Sequence, residues 1–160
     1  FGDRAMDYKY KHLFANLSFL TYCIIVDAFQ HVVYEFLYLT TAQRNEEWNK
    51  LEATFRPYMN AKGMTYFEKG TRWQYQMHIF ESPFYYIDYC LAQANALQFL
   101  FKSLEDYDKA LEAYFKFTSY GGTKFFTEML EEAGINSPFK EGALREVAQK
   151  SEEILKELSK

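Results

Sequence analysis

The apolar residues Leu13, Leu17, Leu20 and Ile24 recur at steps of four, three and four. That spacing lines one stripe of an α-helix and excludes a strand, whose side chains change face at every residue. The stripe predicts a long first helix over 6–37. Helical periodicity continues along the chain, punctuated by Pro and Gly. Thr40-Thr41-Ala42-Gln43 has the form of a capping box opening a second helix. That helix carries Trp48, Leu51 and Phe55 and stops before Pro57. Residues 57–70, with Pro57, Gly63 and Gly70, read as a connection holding a short turn. A third helical piece is predicted over 71–80. Ser82-Pro83 then breaks the chain, and the next helix is expected to run from Pro83 to Phe101, with the proline in its first turn. Ser103 is read as the cap of a helix over 104–119, ended by Gly121-Gly122. Thr123 opens a shorter helix to Ala133, closed by Gly134. Ser137-Pro138 leads into the last helix, whose end KSEEILKELSK reads as a solvated face. With no strand-like alternation, no internal repeat and no low-complexity segment, the expected class is all-α, a bundle of about six to seven helices.

The chain has 160 residues, enough for one domain with a sizeable core. Its 18 basic and 22 acidic side chains leave a formal net charge of −4, so no electrostatic footprint for nucleic acid is expected. No run reaches the ~20 apolar residues of a membrane span. The best, FLTYCIIV, is interrupted by Asp27, and no membrane partner is expected. Cys23 and Cys90 lie in apolar helical runs and read as small buried hydrophobes rather than a disulfide framework. The opening FGDRAMDY carries neither a signal-peptide pattern nor an initiator methionine, and the chain is expected to be a portion of a longer protein. Aromatic residues make up 20% of the chain, with 14 Tyr and 16 Phe. Tyrosine hydroxyls need partners, so this excess points to a binding surface or an interface.

Chemistry concentrates in HIFESPFYYIDYCLAQ, residues 78–93. On a helix, Tyr85 and Tyr89 lie one turn apart, as do Tyr86 and Tyr89, so the three phenols would crowd one helix start with His78 nearby. Phenolic O–H and imidazole N–H groups there could stabilise an oxyanion or bind a carboxylate. The same spacing also fits an aromatic packing layer, and spacing alone favours that simpler reading. The apolar stripe continues onto Asp27 and His31, and Asp27, His31 and Glu35 follow at i, i+4 intervals. They invite a metal reading, but three histidines in all and no second carboxylate–histidine element favour a buried Asp27–His31 hydrogen bond. Gly121-Gly122-Thr123 could cradle an anion at a helix start, although a glycine pair is more often a cap and a turn. Walker loop, dinucleotide fingerprint, CxxC, HExxH and nucleophile–histidine frames are all missing.

Three segments, taken as whole strings, carry a family resemblance: FLTYCIIVDAFQHVVYE (19–35), MHIFESPFYYIDYCLAQANALQF (77–99) and YGGTKFFTEMLEEAGINSPFKEGAL (120–144). Together they resemble the C-terminal part of the oligoendopeptidase F family, zinc peptidases related to thimet oligopeptidase, with PFYYIDY the most diagnostic piece. The resemblance implies a helical fold with a deep channel, and hydrolysis of short peptides by zinc-activated water. It implies that residues 1–160 are the C-terminal helical portion of a catalytic domain. The Zn ligands and the general base are then expected outside this chain, on the HExxH-bearing remainder of the same enzyme. Within the chain it implies catalytic roles for His78, Tyr86 and Tyr89 and substrate binding by Tyr85, Gly121 and Gly122. Asp27, Gln30 and His31 also match a recurrent family string and keep a structural reading. With the two thiols the resemblance implies a cytoplasmic protein acting on peptides, and the chain alone is expected to be inactive. Two rival readings are a non-enzymatic helical module with an aromatic docking surface, and a metal-binding bundle using Asp27, His31, Glu35 and His78.

Overall fold

The computed structural model describes all residues from Phe1 to Lys160. It contains seven α-helices and no strand. They are α1 (Ala5–Glu35), α2 (Thr41–Phe55), α3 (His78–Glu81), α4 (Ile87–Glu105), α5 (Tyr107–Ser119), α6 (Phe126–Glu132) and α7 (Ala143–Leu158). The chain divides into two compact units. One is built from Phe1–Leu17 and Leu91–Lys160, the other from Ser18–Cys90. Helices α1 and α4 each contribute to both.

The central unit, Ser18–Cys90, is organised around tryptophan. Trp48 of α2 meets Phe29 of α1 edge-on, with ring centroids 5.2 Å apart, and Trp73 lies 5.3 Å from the same Phe29. The Trp73 indole N–H donates to Asn45 Oδ1 at 2.8 Å, which satisfies the polar edge of a buried ring. The expected capping box is present: Thr40 Oγ1 accepts from the Gln43 N–H, and Gln43 Oε1 accepts from the Thr40 N–H. Gly70 packs so closely on α2 that a Cβ would lie 2.2 Å from the Asn45 carbonyl oxygen, and its φ of 74° suits glycine. That contact holds the Arg72–Tyr75 turn, and with it Trp73, against α2.

The apolar face of α1 drifts from the predicted stripe. The fully buried residues are Cys23, Ile25, Val26, Phe29 and Gln30, whereas Ile24 is half-buried and His31 is exposed. Gln30 therefore occupies the buried position expected of His31. By length and composition the helical stretch Gly2–Glu35 is apolar enough to cross a membrane, which the count of uninterrupted apolar residues had not suggested. The five fully buried positions above are covered by protein.

The other unit buries Leu130, Ala133 and Ile135 against Phe99, Phe117 and Phe126. Gln98 binds the Asn136 backbone twice: its Nε2–H donates to the Asn136 carbonyl, and its Oε1 accepts the Asn136 N–H, both at 2.9 Å. Two helix starts differ from expectation. Asp106, not Ser103, caps α5, its carboxylate accepting the Lys109 N–H. Ser103 stays inside α4, its hydroxyl donating to the Leu100 carbonyl one turn back. Helix α6 starts at Phe126 rather than Thr123, and Gly121 and Gly122 adopt φ of 50° and 82° after α5.

Candidate functional site

Pro83 is not in the first turn of α4. Ser82–Tyr85 forms a tight turn closed by the Tyr85 N–H donating to the Ser82 carbonyl at 3.2 Å. Phe84 sits third in that turn with φ of 61°, the one non-glycine residue in the left-handed region. Proline second and a left-handed third residue suit this geometry, but the third position normally calls for glycine. A residue so placed is strained, and strain of this kind persists only where surrounding contacts over-determine it. Here the Phe84 ring packs on His31 and Tyr34 of α1, at centroid distances of 4.9 and 5.2 Å. The turn aims Tyr85 and Tyr86 from just before α4, which begins at Ile87, so their separation does not follow helical spacing.

The turn and α3 bring the four predicted residues together. The His78 ring lies 6.2 Å from Tyr85, 5.1 Å from Tyr86 and 5.6 Å from Tyr89. Tyr89 in turn packs edge-on against both Tyr85 and Tyr86. The three phenols differ in access: Tyr86 is 7% exposed, Tyr89 36% and Tyr85 47%. Tyr86 is the floor of the cluster, against Phe19 and Tyr22 of α1, and Tyr85 and Tyr89 form its open side.

Sequence reasoning missed the polar support behind His78. Gln76 Nε2 lies 2.7 Å from His78 Nδ1, and Tyr22 donates its hydroxyl to Gln76 Oε1 at 3.0 Å. On the other side of the imidazole, His78 Nε2 and the Tyr89 hydroxyl are 3.4 Å apart. Arg72 and Arg56 place their guanidinium groups 5.3 and 5.5 Å from the Tyr22 ring centroid. No local spacing could have found this row, since Tyr22 is 54 residues from Gln76. Burial pushes the Tyr86 phenol far above its usual value near 10, and the nearby Tyr22, Cys23 and Tyr89 add to the shift. Tyr89 is also raised, first by partial desolvation and then by the Tyr85 hydroxyl. Both phenols therefore keep their protons at neutral pH and act as O–H donors.

The other sequence candidates lie elsewhere. His31 Nε2 and Asp27 Oδ2 are 3.5 Å apart and the His31 side chain is 68% exposed, so the expected buried hydrogen bond is instead a loose surface contact. Gly121 and Gly122 belong to the other unit, in an exposed loop where added Cβ atoms would meet nothing within 4 Å. No three or more His, Cys, Asp and Glu side chains gather in an arrangement able to hold a metal ion. The residues present do not fit a metal site.

The chain belongs to Peptidase family M3, whose sequence model matches residues 5–149. Among solved structures, it is similar to one assigned as an oligoendopeptidase F, with 40% identity and a TM-score of 0.91. It is equally similar to PZ peptidase A solved with an inhibitor, at 40% identity and a TM-score of 0.92. A protein of Bacillus anthracis str. Ames, assigned as an oligoendopeptidase F, shares 35% identity at a TM-score of 0.77. Each match covers 98% of this chain but only 28%, 28% and 24% of the respective relative. No curated protein matches the chain.

Proposed function

We propose that these residues are the C-terminal helical portion of the catalytic domain of an oligoendopeptidase, a zinc-dependent enzyme cleaving short peptides. In this reading the chain supplies one wall of the active site. The observation that carries it is the open side of the cluster, where Tyr85 and Tyr89 present their hydroxyls beside His78 instead of being sealed in the core. Zinc, when bound, would polarise the scissile carbonyl and activate water. Its ligands would come from polypeptide outside these residues. The chain's own task is to bind and orient an extended peptide and to donate hydrogen bonds where negative charge develops on the carbonyl oxygen. Donors fixed in advance cost no reorganisation at the moment of reaction, and losing one typically costs ~100-fold or more in rate.

Tyr89 is the best-placed donor, because its oxygen lies 3.4 Å from His78 Nε2 and its ring is carried on α4. Tyr85 is more exposed and suits contact with the peptide backbone. The sequence expectation gave Tyr86 an oxyanion role. In this reading the buried Tyr86 packs beneath Tyr89 and His78 and helps to set their positions. Gly121 and Gly122 fit a pliable substrate-side loop, and the cytoplasm is the compartment that two unpaired buried thiols suit. The test is a quenched fluorogenic oligopeptide assay. Full-length protein should cleave the peptide in a chelator-sensitive way, and Tyr89→Phe should lower kcat by about 100-fold while changing KM little. Turnover by the isolated 160-residue chain would overturn the division of labour between this chain and the remainder.

A further inference from the structure

Behind His78 stands a row of polar groups whose direction is set at one end. Arg72 carries a permanent cation 5.3 Å from the Tyr22 ring centroid. The guanidinium also lies within hydrogen-bonding reach of the Tyr22 oxygen, and because it can only donate, the phenol's own proton is free to turn toward Gln76. Tyr22 donates to Gln76 Oε1 at 3.0 Å. That fixes which end of the amide is the oxygen, so the end 2.7 Å from His78 Nδ1 is the N–H donor. A neutral imidazole accepts at one nitrogen and donates at the other. If Nδ1 accepts, the proton resides on Nε2, which faces the Tyr89 oxygen at 3.4 Å.

We propose that Gln76 is a positioning residue: anchored by Tyr22, it holds His78 as the Nε2–H tautomer, so that His78 donates to the Tyr89 oxygen and the Tyr89 proton is left to point at a ligand. This rests on the function proposed above and deepens it. The opposite tautomer would have Tyr89 donate to the imidazole and present a lone pair to the developing oxyanion. The Gln76 amide thereby selects between a stabilising and a repelling phenol, without touching substrate.

The groups facing His78 are Gln76, Tyr85, Tyr86 and Tyr89, with Tyr22 and Arg72 behind Gln76. The experiment uses full-length protein labelled with nitrogen-15 at histidine, with His78 assigned by its loss in His78→Gln. Long-range nitrogen–proton correlation at a pH where the ring is neutral should show Nε2 protonated and Nδ1 bare. Gln76→Glu replaces the donor with a carboxylate. It should move the proton to Nδ1 and raise the His78 titration midpoint by about one pH unit. Tyr22→Phe removes the anchor and leaves the imidazole untouched; it should give a mixture of both tautomers, and it carries the test should Gln76→Glu fail to fold. A wild-type protein with the proton on Nδ1, or variants with unchanged tautomer and midpoint, would overturn the proposal. The two readings fail separately. A protein with the stated tautomer but no peptidase activity defeats the proposed function alone. An active enzyme with the opposite tautomer defeats the positioning role alone.

Discussion

His78 and His31 belong to the same unit, and the sequence reading gave the first a catalytic role and the second a structural one. Each has polar or aromatic neighbours at close spacing. In the structure they differ completely. His78 is partnered at both nitrogens, by Gln76 and by Tyr89, and is ringed by three phenols. His31 has one partner at 3.5 Å and an exposed ring that serves mainly as a platform for Phe84. Identity and spacing do not make a histidine a working group. What distinguishes His78 is that both nitrogens face protein partners, whereas the solvent around His31 competes for every hydrogen bond it makes.

The sharpest way to break this contrast is to remove each imidazole in full-length protein. His78→Ala should lower kcat by about 100-fold. His31→Ala should leave kcat within about twofold, since a change away from the reacting groups acts only through small packing effects. Equal losses would mean that the 78–89 cluster has no privileged role.

The strained turn tests how the two histidines are linked. Phe84→Ala keeps a Cβ in the left-handed region and discards the ring packed on His31 and Tyr34. It should destabilise by about 2 kcal/mol and misplace Tyr85 enough to lower kcat. Phe84→Gly loses the same ring but relieves the strain, so it should be the more stable of the two by about 1 kcal/mol. Thermal unfolding that ranks alanine above glycine, the usual order, would show that the turn stores no strain.

Beneath the cluster, burial pushes the Cys23 thiol up to about 12 from its usual 9, and Cys90 adds to the shift. The sign follows from proton binding. Below pH 9 the thiol is protonated whether the protein is folded or not, and stability is unaffected. Between 9 and 12 the unfolded chain releases the proton more readily, so stability falls as pH rises through that window. Cys23→Ala should be less stable at neutral pH by about 1 kcal/mol and show a flatter decline over the window. An unchanged slope would place the thiol in contact with water.

The smallest effect is expected at Asp27. Asp27→Asn removes the charge facing His31 and should change stability by no more than about 0.5 kcal/mol, as surface pairs usually do. A larger loss in chemical denaturation would mean that the pair is structural after all.

Much of the fold was legible because helices announce themselves through apolar period and caps. The span of α1 and the Thr40–Gln43 box could be read directly. The start of α4 could not, because Pro83 is equally at home in a first helical turn and in a tight turn. Only the left-handed Phe84 distinguishes the two, and nothing in the sequence marks a phenylalanine for that conformation. The drift that moved His31 off the buried face is similarly invisible: a shift of one residue rotates a helix by about 100°, and only packing fixes it. The co-location of His78, Tyr85, Tyr86 and Tyr89 was legible because they are near in sequence. Which of the tyrosines faces outward was not, because access depends on Phe19 and Tyr22 from a distant part of α1.

The central claim is that Tyr89 donates its proton to a tetrahedral oxyanion, and a phosphinic peptide, which mimics that tetrahedral species, tests it directly. In full-length protein, Tyr89→Phe should raise the inhibitor's dissociation constant by about the same factor, near 100-fold, by which it lowers kcat/KM, with KM for the matching substrate nearly unchanged. Undiminished affinity for the phosphinic peptide in the Tyr89→Phe protein would contradict it.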